Sequence, residues 1–188
     1  SIYSNGNIDA AKQCVVSLSD IEQQARAFEL DALAQAIEEK WKMIDENYYA
    51  VYFREVLSKQ SAFNQDCFTE AGLTAAASAD DAQEEATTKF SKKPDYVFFY
   101  AVCGKGASKK KLQVTWYKYA LDRATGEFSQ REQVAQSKTQ ELPEIRHSYK
   151  TLIGFKKGGF TYGAGLYAAE VRAEGEDAPL ALCYFYLQ

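Results

Sequence analysis

The sequence predicts an α+β protein: a helical N-terminal segment packed on a C-terminal antiparallel β-sandwich. Three observations carry that prediction. Between Asn7 and Ala71 there is neither glycine nor proline, and so long a breaker-free run favours helix. Nine of the 11 glycines, with Pro143 and Pro179, fall from Gly104 onward, the punctuation of short strands and turns. The apolar spacing also changes, from three or four residues in the first half to two in the second. The boundaries that follow are a helical segment over 1–72, a linker or loosely held helix over 73–93, and the β-sandwich over 94–188.

The helical part has a start signal in Ser19-Asp20-Ile21-Glu22. There a serine oxygen and a glutamate carboxylate each satisfy an orphan backbone N–H. An apolar stripe follows: Ile21, Ala25, Phe28, Leu33, Ile37, Trp41, Ile44, Tyr48, Val51 and Val56. Most steps are three or four residues, one helix face. Glu22, Gln24, Asp31, Glu38, Glu39 and Asp45 lie between them as a solvated acidic face. Two arrangements fit, one helix over about 20–58 or a helical hairpin broken near Asp45–Asn47. The aromatic run from Tyr48 to Phe53 also admits a strand. Residues 73–90 have few large apolar side chains, which is why they read as linker.

The β part opens at Pro94, and 96–103 reads as a buried strand. Leu112, Val114 and Trp116 alternate with Gln113, Thr115 and Tyr117 in the period of a strand. The string from Asp122 to Glu127 reads as a hairpin loop, with Gly126 where a positive φ is needed. Further strands are expected at 127–136, 147–156, 159–173 and 180–187. Six strands in so short a stretch suit an antiparallel sandwich.

Trp116-Tyr117 after an alternating strand, Gly165-Leu166-Tyr167-Ala168-Ala169-Glu170-Val171, and the closing Leu182-Cys183-Tyr184-Phe185 together resemble an immunoglobulin-like domain. The likeness is to the domains that end many bacterial exported proteins, and it covers 94–188. It implies a sandwich without a shared active site. The Cys…Trp…Cys spacing of antibody domains is absent, and residues 1–93 carry no such resemblance.

Composition removes several function classes. Apolar residues make up 46% and aromatics 14%, which excludes wholesale disorder. No window is apolar enough for a membrane span. Residues 1–90 hold 7 Lys+Arg against 16 Asp+Glu, a net −9, and 91–188 hold 15 against 10, a net +5. The only methionine is Met43, so a removed leader is one reading of a chain that begins at Ser1. Four cysteines, Cys14, Cys67, Cys103 and Cys183, permit two disulfides and an oxidising compartment. Cys103 and Cys183 would share a core, within disulfide range if their strands are neighbours, and a helical hairpin would bring Cys14 to Cys67; four unpaired core thiols are the alternative.

No motif carries chemistry. His147 is the only imidazole, and Glu144-Ile145-Arg146-His147-Ser148 matches no nucleophile elbow. Gly104-Lys105-Gly106 precedes a strand rather than a helix, so it is no phosphate loop. Lys105 and Lys109–Lys111 supply too few phosphate contacts for nucleic acid beside an acidic half. The carboxylate pairs Glu38-Glu39, Asp80-Asp81 and Glu84-Glu85 lie on a helix face or in the linker, unlike a hydrolase pair across a cleft. No cofactor or metal is expected.

The aromatic pattern is the most informative feature. Tyr96, Phe98 and Tyr100 share one strand face, and Leu182, Tyr184 and Tyr186 another, with apolar residues also on the reverse. Both faces then need cover, by helix, partner or ligand. The expected function is a non-catalytic exported interaction or assembly protein, periplasmic or secreted. It would bind a protein or glycan through Tyr96, Tyr100, Tyr117, Tyr119, Tyr184 and Tyr186. The alternative is a small enzyme or carbohydrate-binding module using a cleft between helix and sheet.

Overall fold

The structure, a computed structural model, describes residues 8–76, 78–90, 97–154 and 163–188. It is α+β, with two helices and antiparallel sheets. The chain divides into two compact units, Ser1–Lys59 with Tyr119–Arg131, and Gln60–Lys118 with Glu132–Gln188.

In the first unit α1 spans Ile8–Ala27 and α2 spans Asp31–Glu55. Arg26 reaches Glu38 and Trp41 reaches Glu22, so the helices run antiparallel as a hairpin. The break expected near Asp45–Asn47 lies instead at Phe28-Glu29-Leu30. No glycine marks it: Glu29 itself takes the left-handed conformation, φ 57°. The Leu30 N–H then donates to the Ala25 carbonyl at 2.8 Å, a wrap-back bond that closes the end of α1. The capping box expected at Ser19 falls inside α1, where Ser19 is buried. Tyr48–Phe53 is helix, not strand.

The buried face of α1 is made of small residues, Ala11, Val15, Ser19 and Ala25. From α2 come Ala34, Ile37, Trp41, Tyr48 and Val51. The expected stripe is therefore only partly right, because Ile21, Phe28 and Leu33 stand exposed. Asp45, expected on the solvated face, is buried.

The second unit holds most of ten strands: β1 Ala62–Phe63, β2 Phe68–Thr74, β3 Lys89–Phe90, β4 Phe98–Cys103, β5 Lys111–Asp122, β6 Glu127–Gln136, β7 Gln140–Glu141, β8 Tyr149–Gly154, β9 Gly165–Ala173 and β10 Ala181–Leu187. One sheet runs β1-β10-β9-β5-β6, with β3 on β10 and β7 on β5; the other runs β2-β4-β8. β3 pairs parallel with β10. The outer part of the β5–β6 hairpin, 119–131, belongs to the first unit. Its Gly126 has φ 69°, as the hairpin loop requires. A Cβ there would meet Lys12 Cγ at 2.6 Å.

Helix gives way to strand sooner than the sequence suggested, since β1 and β2 lie within 60–74. The segment read as linker or loose helix is neither among its described residues. Thr74 bridges Ala86, the Thr87 N–H donates to the Leu73 carbonyl at 2.9 Å, and β3 joins β10. Ala76, Ala82 and Phe90 are buried along it.

Both sheets contribute to one apolar core. Phe68, Phe99 and Ile153 come from one sheet; Trp116, Tyr167 and Phe185 come from the other. Phe68 and Phe99 meet edge to face at 5.8 Å, and Tyr167 stacks on Phe185 at 5.2 Å. Cys103 and Cys183 share this core, as their strand phase suggested, yet all four cysteines are free. β4 and β10 belong to different sheets, so the two thiols are not on neighbouring strands. The disulfide expectation finds no support here, and neither does the compartment inferred from it.

Candidate functional site

The groups that most often carry chemistry sit poorly for it. His147 is exposed in a bend between β7 and β8. Burial pushes the Cys103 and Cys183 thiols up to about 12, and it raises Cys67 as well, so none is poised as a thiolate. Lys105–Ala107 forms one 3-10 turn leading into β5, with no α-helix to face an anion. Lys109 pairs with Glu144 at 3.6 Å, Lys111 with Glu174 at 3.2 Å, and Lys110 with Glu176. Among the described residues no group of three or more His, Cys, Asp or Glu could hold a metal ion. No described helix is long and apolar enough to cross a membrane.

The tyrosines expected to form a docking surface divide otherwise. Tyr100, Tyr184 and Tyr186 are buried. The Tyr100 hydroxyl donates to Glu70 Oε1 at 2.9 Å, and burial first, then that carboxylate, raises it to about 12. Gly72 lies against its ring, where a Cβ would come within 2.9 Å. Tyr117 and Tyr119 on β5 are half-buried. Tyr96 lies outside the described residues. The expectation of a Tyr-rich surface is therefore corrected: β9 and β10 are buried on both faces, as their apolar alternation demanded.

Among the described residues, most of the exposed large apolar side chains lie at or near the turn of the helical hairpin, with Met43 and Tyr149 exposed elsewhere. Phe28 is 74% exposed, Leu30 52%, Ile21 47% and Leu33 45%. Ile21 and Phe28 are seven residues apart and so share a helix face. Each forgoes part of the roughly 1.5–3 kcal/mol that full burial of such a side chain would contribute. Beside them a shallow groove of about 560 Å³ is lined by Arg26, Asp31, Ala34, Gln35, Glu38 and Glu39.

A bonded network supports this tip from below. The Arg123 guanidinium lies 4.2 Å from the centre of the Trp41 ring. It donates to Asp45 through Nε at 3.3 Å and Nη2 at 2.5 Å. Trp41 Nε1 donates to Glu22 at 2.5 Å, and Arg26 donates to Glu22 at 2.8 Å and to Glu38 at 3.0 Å. The Arg26 bond, then the Trp41 bond, holds the Glu22 carboxyl below the ordinary carboxylate range. Further along α2 the Tyr48 hydroxyl donates to the Gly126 carbonyl at 2.6 Å, and Tyr52 packs on Phe128 at 4.7 Å. Lys12 pairs with Glu127.

Arginine at the tip is thus committed, whereas Glu29 and Asp31 have no ion pair among the described residues. What the sequence contained, and periodicity hid, is Phe28-Glu29-Leu30-Asp31: apolar and acidic residues alternating between two helices.

No family model matches this chain, and no curated protein matches it. Among solved structures, the PmoD soluble domain from Methylocystis sp. ATCC 49242 (Rockwell) is 12% identical, with a TM-score of 0.38, over 68% of this chain and 96% of that one. The Pseudomonas fluorescens alkylpurine DNA glycosylase AlkC, bound to DNA containing an abasic-site analogue, is 11% identical with a TM-score of 0.33; the match covers 95% of this chain and 47% of that one. Neither likeness is close enough to bear on function.

Proposed function

We propose that the protein is a non-catalytic interaction or assembly protein whose contact surface is the turn of its helical hairpin. The observation that carries this is Phe28, 74% exposed beside Leu30, Leu33 and Ile21 on a well-bonded hairpin. Large apolar residues clustered in water mark interaction sites more often than they mark anything else. The partner is a protein rather than a glycan, because the surface offers aliphatic anchors and carboxylates instead of a flat aromatic platform.

The second unit is, in this proposal, an immunoglobulin-like sandwich that serves as framework. Leaving out the two-residue strands, the strand order supports the reading: first, second and fifth in one sheet (β2-β4-β8), seventh, sixth, third and fourth in the other (β10-β9-β5-β6). Trp116 on the third strand is fully buried, as the fold's core tryptophan would be. The Tyr167 hydroxyl, near the start of the sixth strand, donates to the Gly163 carbonyl at 2.6 Å in the manner of a tyrosine corner. An exported setting, periplasmic or secreted, rests on this resemblance alone, and the free thiols lend it none.

Quantitative co-purification from the source cells tests the docking role. A partner retained by the parent chain and lost by Phe28→Ser/Leu30→Ser, at unchanged melting temperature, is the expected outcome. Equal retention by both would contradict it.

A further inference from the structure

The tip is selective in charge as well as exposed. Over 20–39 there are six carboxylates, on Asp20, Glu22, Glu29, Asp31, Glu38 and Glu39, against Arg26 alone. Arg26 is spent on Glu22 and Glu38. Glu29 and Asp31 alternate in the chain with the exposed Phe28 and Leu30, and Asp31, Glu38 and Glu39 line the groove against Ala34. A molecule seated on Phe28 therefore meets more carboxylates than cations, since Arg26, the one cation among the described residues lining the groove, is already paired with Glu22 and Glu38.

We infer that the tip binds a basic amphipathic segment of another protein, with apolar side chains on Phe28, Leu30 and Leu33 and lysine or arginine over the groove. This deepens the docking proposal and rests on it. The apolar anchors supply affinity, and the acidic rim supplies orientation and rate. The same rim disfavours the other occupants. A second copy joined by a two-fold axis would set two acidic tips against each other. Anionic lipid and nucleic acid would meet the net −5 of the tip.

The probe is a dye-labelled helical peptide of about four turns with leucine on one face. It is made in three forms, with lysine, glutamate or glutamine on the other face, and titrated into the whole protein by fluorescence anisotropy. The lysine form should bind at least about tenfold more tightly than the glutamate form. Raising salt from about 0.05 M to about 0.5 M should erase most of that difference. Phe28→Ser/Leu30→Ser should weaken the lysine form about tenfold, and Phe28→Gln serves if the double variant does not fold. Asp31→Asn/Glu38→Gln/Glu39→Gln should weaken the lysine form and leave the glutamine form unchanged. Equal binding of all three forms, still dependent on Phe28, would overturn the charge inference and leave the docking role intact. Binding indifferent to Phe28 would put the site elsewhere. No binding of any form would overturn the inference, while the docking role would then rest on the co-purification result. Self-association through the tip, abolished by Phe28→Ser/Leu30→Ser, would name a second copy as occupant and also overturn it.

Discussion

Each of the two units closes internally on a different kind of contact. The sheet unit closes on large, fully buried side chains, with Phe68, Phe99, Trp116, Tyr167 and Phe185 in one core. The helical unit sets the small residues of α1, Ala11, Val15, Ser19 and Ala25, beside larger ones of α2, among them Trp41 and Tyr48, with polar bonds to 119–131. It also leaves apolar side chains exposed at its turn. Among the described residues of the sheet unit, Tyr149 alone is an exposed large apolar side chain, at 38%. In the proposed reading, the large apolar core and the docking surface belong to different units.

That contrast orders the expected effects. Phe185→Ala, in the sheet core, should cost about 3–5 kcal/mol, read as a shift of the urea midpoint. A much smaller loss would mean the core is looser than its burial implies. Asp45→Ala strips the Arg123 guanidinium of its two bonds and should cost about 1–3 kcal/mol. Asp45→Asn, which retains one acceptor, should recover part of it.

Raised pH should also act through the sheet unit. Burial pushes its Cys103 and Cys183 thiols up to about 12, whereas an unfolded thiol ionises near ~8.5. The unfolded state therefore releases protons first, and stability falls as pH rises from ~8.5 toward 12. Midpoints measured across that range should decline, and less steeply in Cys103→Ala. A thiol reagent should modify half-buried Cys14 before the three buried cysteines.

The smallest effects belong to the hairpin turn. Glu29→Gly relieves a left-handed non-glycine residue and should stabilise by up to about 1 kcal/mol. Phe28→Ser should change stability by no more than about 0.5 kcal/mol. A loss above about 2 kcal/mol would show that Phe28 packs inside the fold and is not a docking group.

Sequence periodicity reached the sheet better than the hairpin. β5, β6, β8, β9 and β10 were legible because alternation and glycine agree there. β2 was hidden inside a breaker-free run that also holds both helices. The hairpin turn was hidden because Glu29 supplies, at some cost, the φ that glycine supplies freely. Phe28 and Leu33 passed for core because spacing alone cannot say whether a helix face has a partner. The tyrosines passed for surface for the mirror reason: the cover that both apolar faces require was assigned in part to a partner, whereas Tyr100, Tyr184 and Tyr186 are buried within this chain. The network of Arg123 on Asp45 joins residues 78 positions apart, beyond the reach of any local pattern.

The most direct test of the docking account is amide hydrogen exchange on the whole protein with and without the lysine-faced peptide. New protection confined to the turn at 28–33 and its flanking helix ends is the predicted result. Protection centred on the strands that bear Tyr117 and Tyr119, with the turn unchanged, would contradict it.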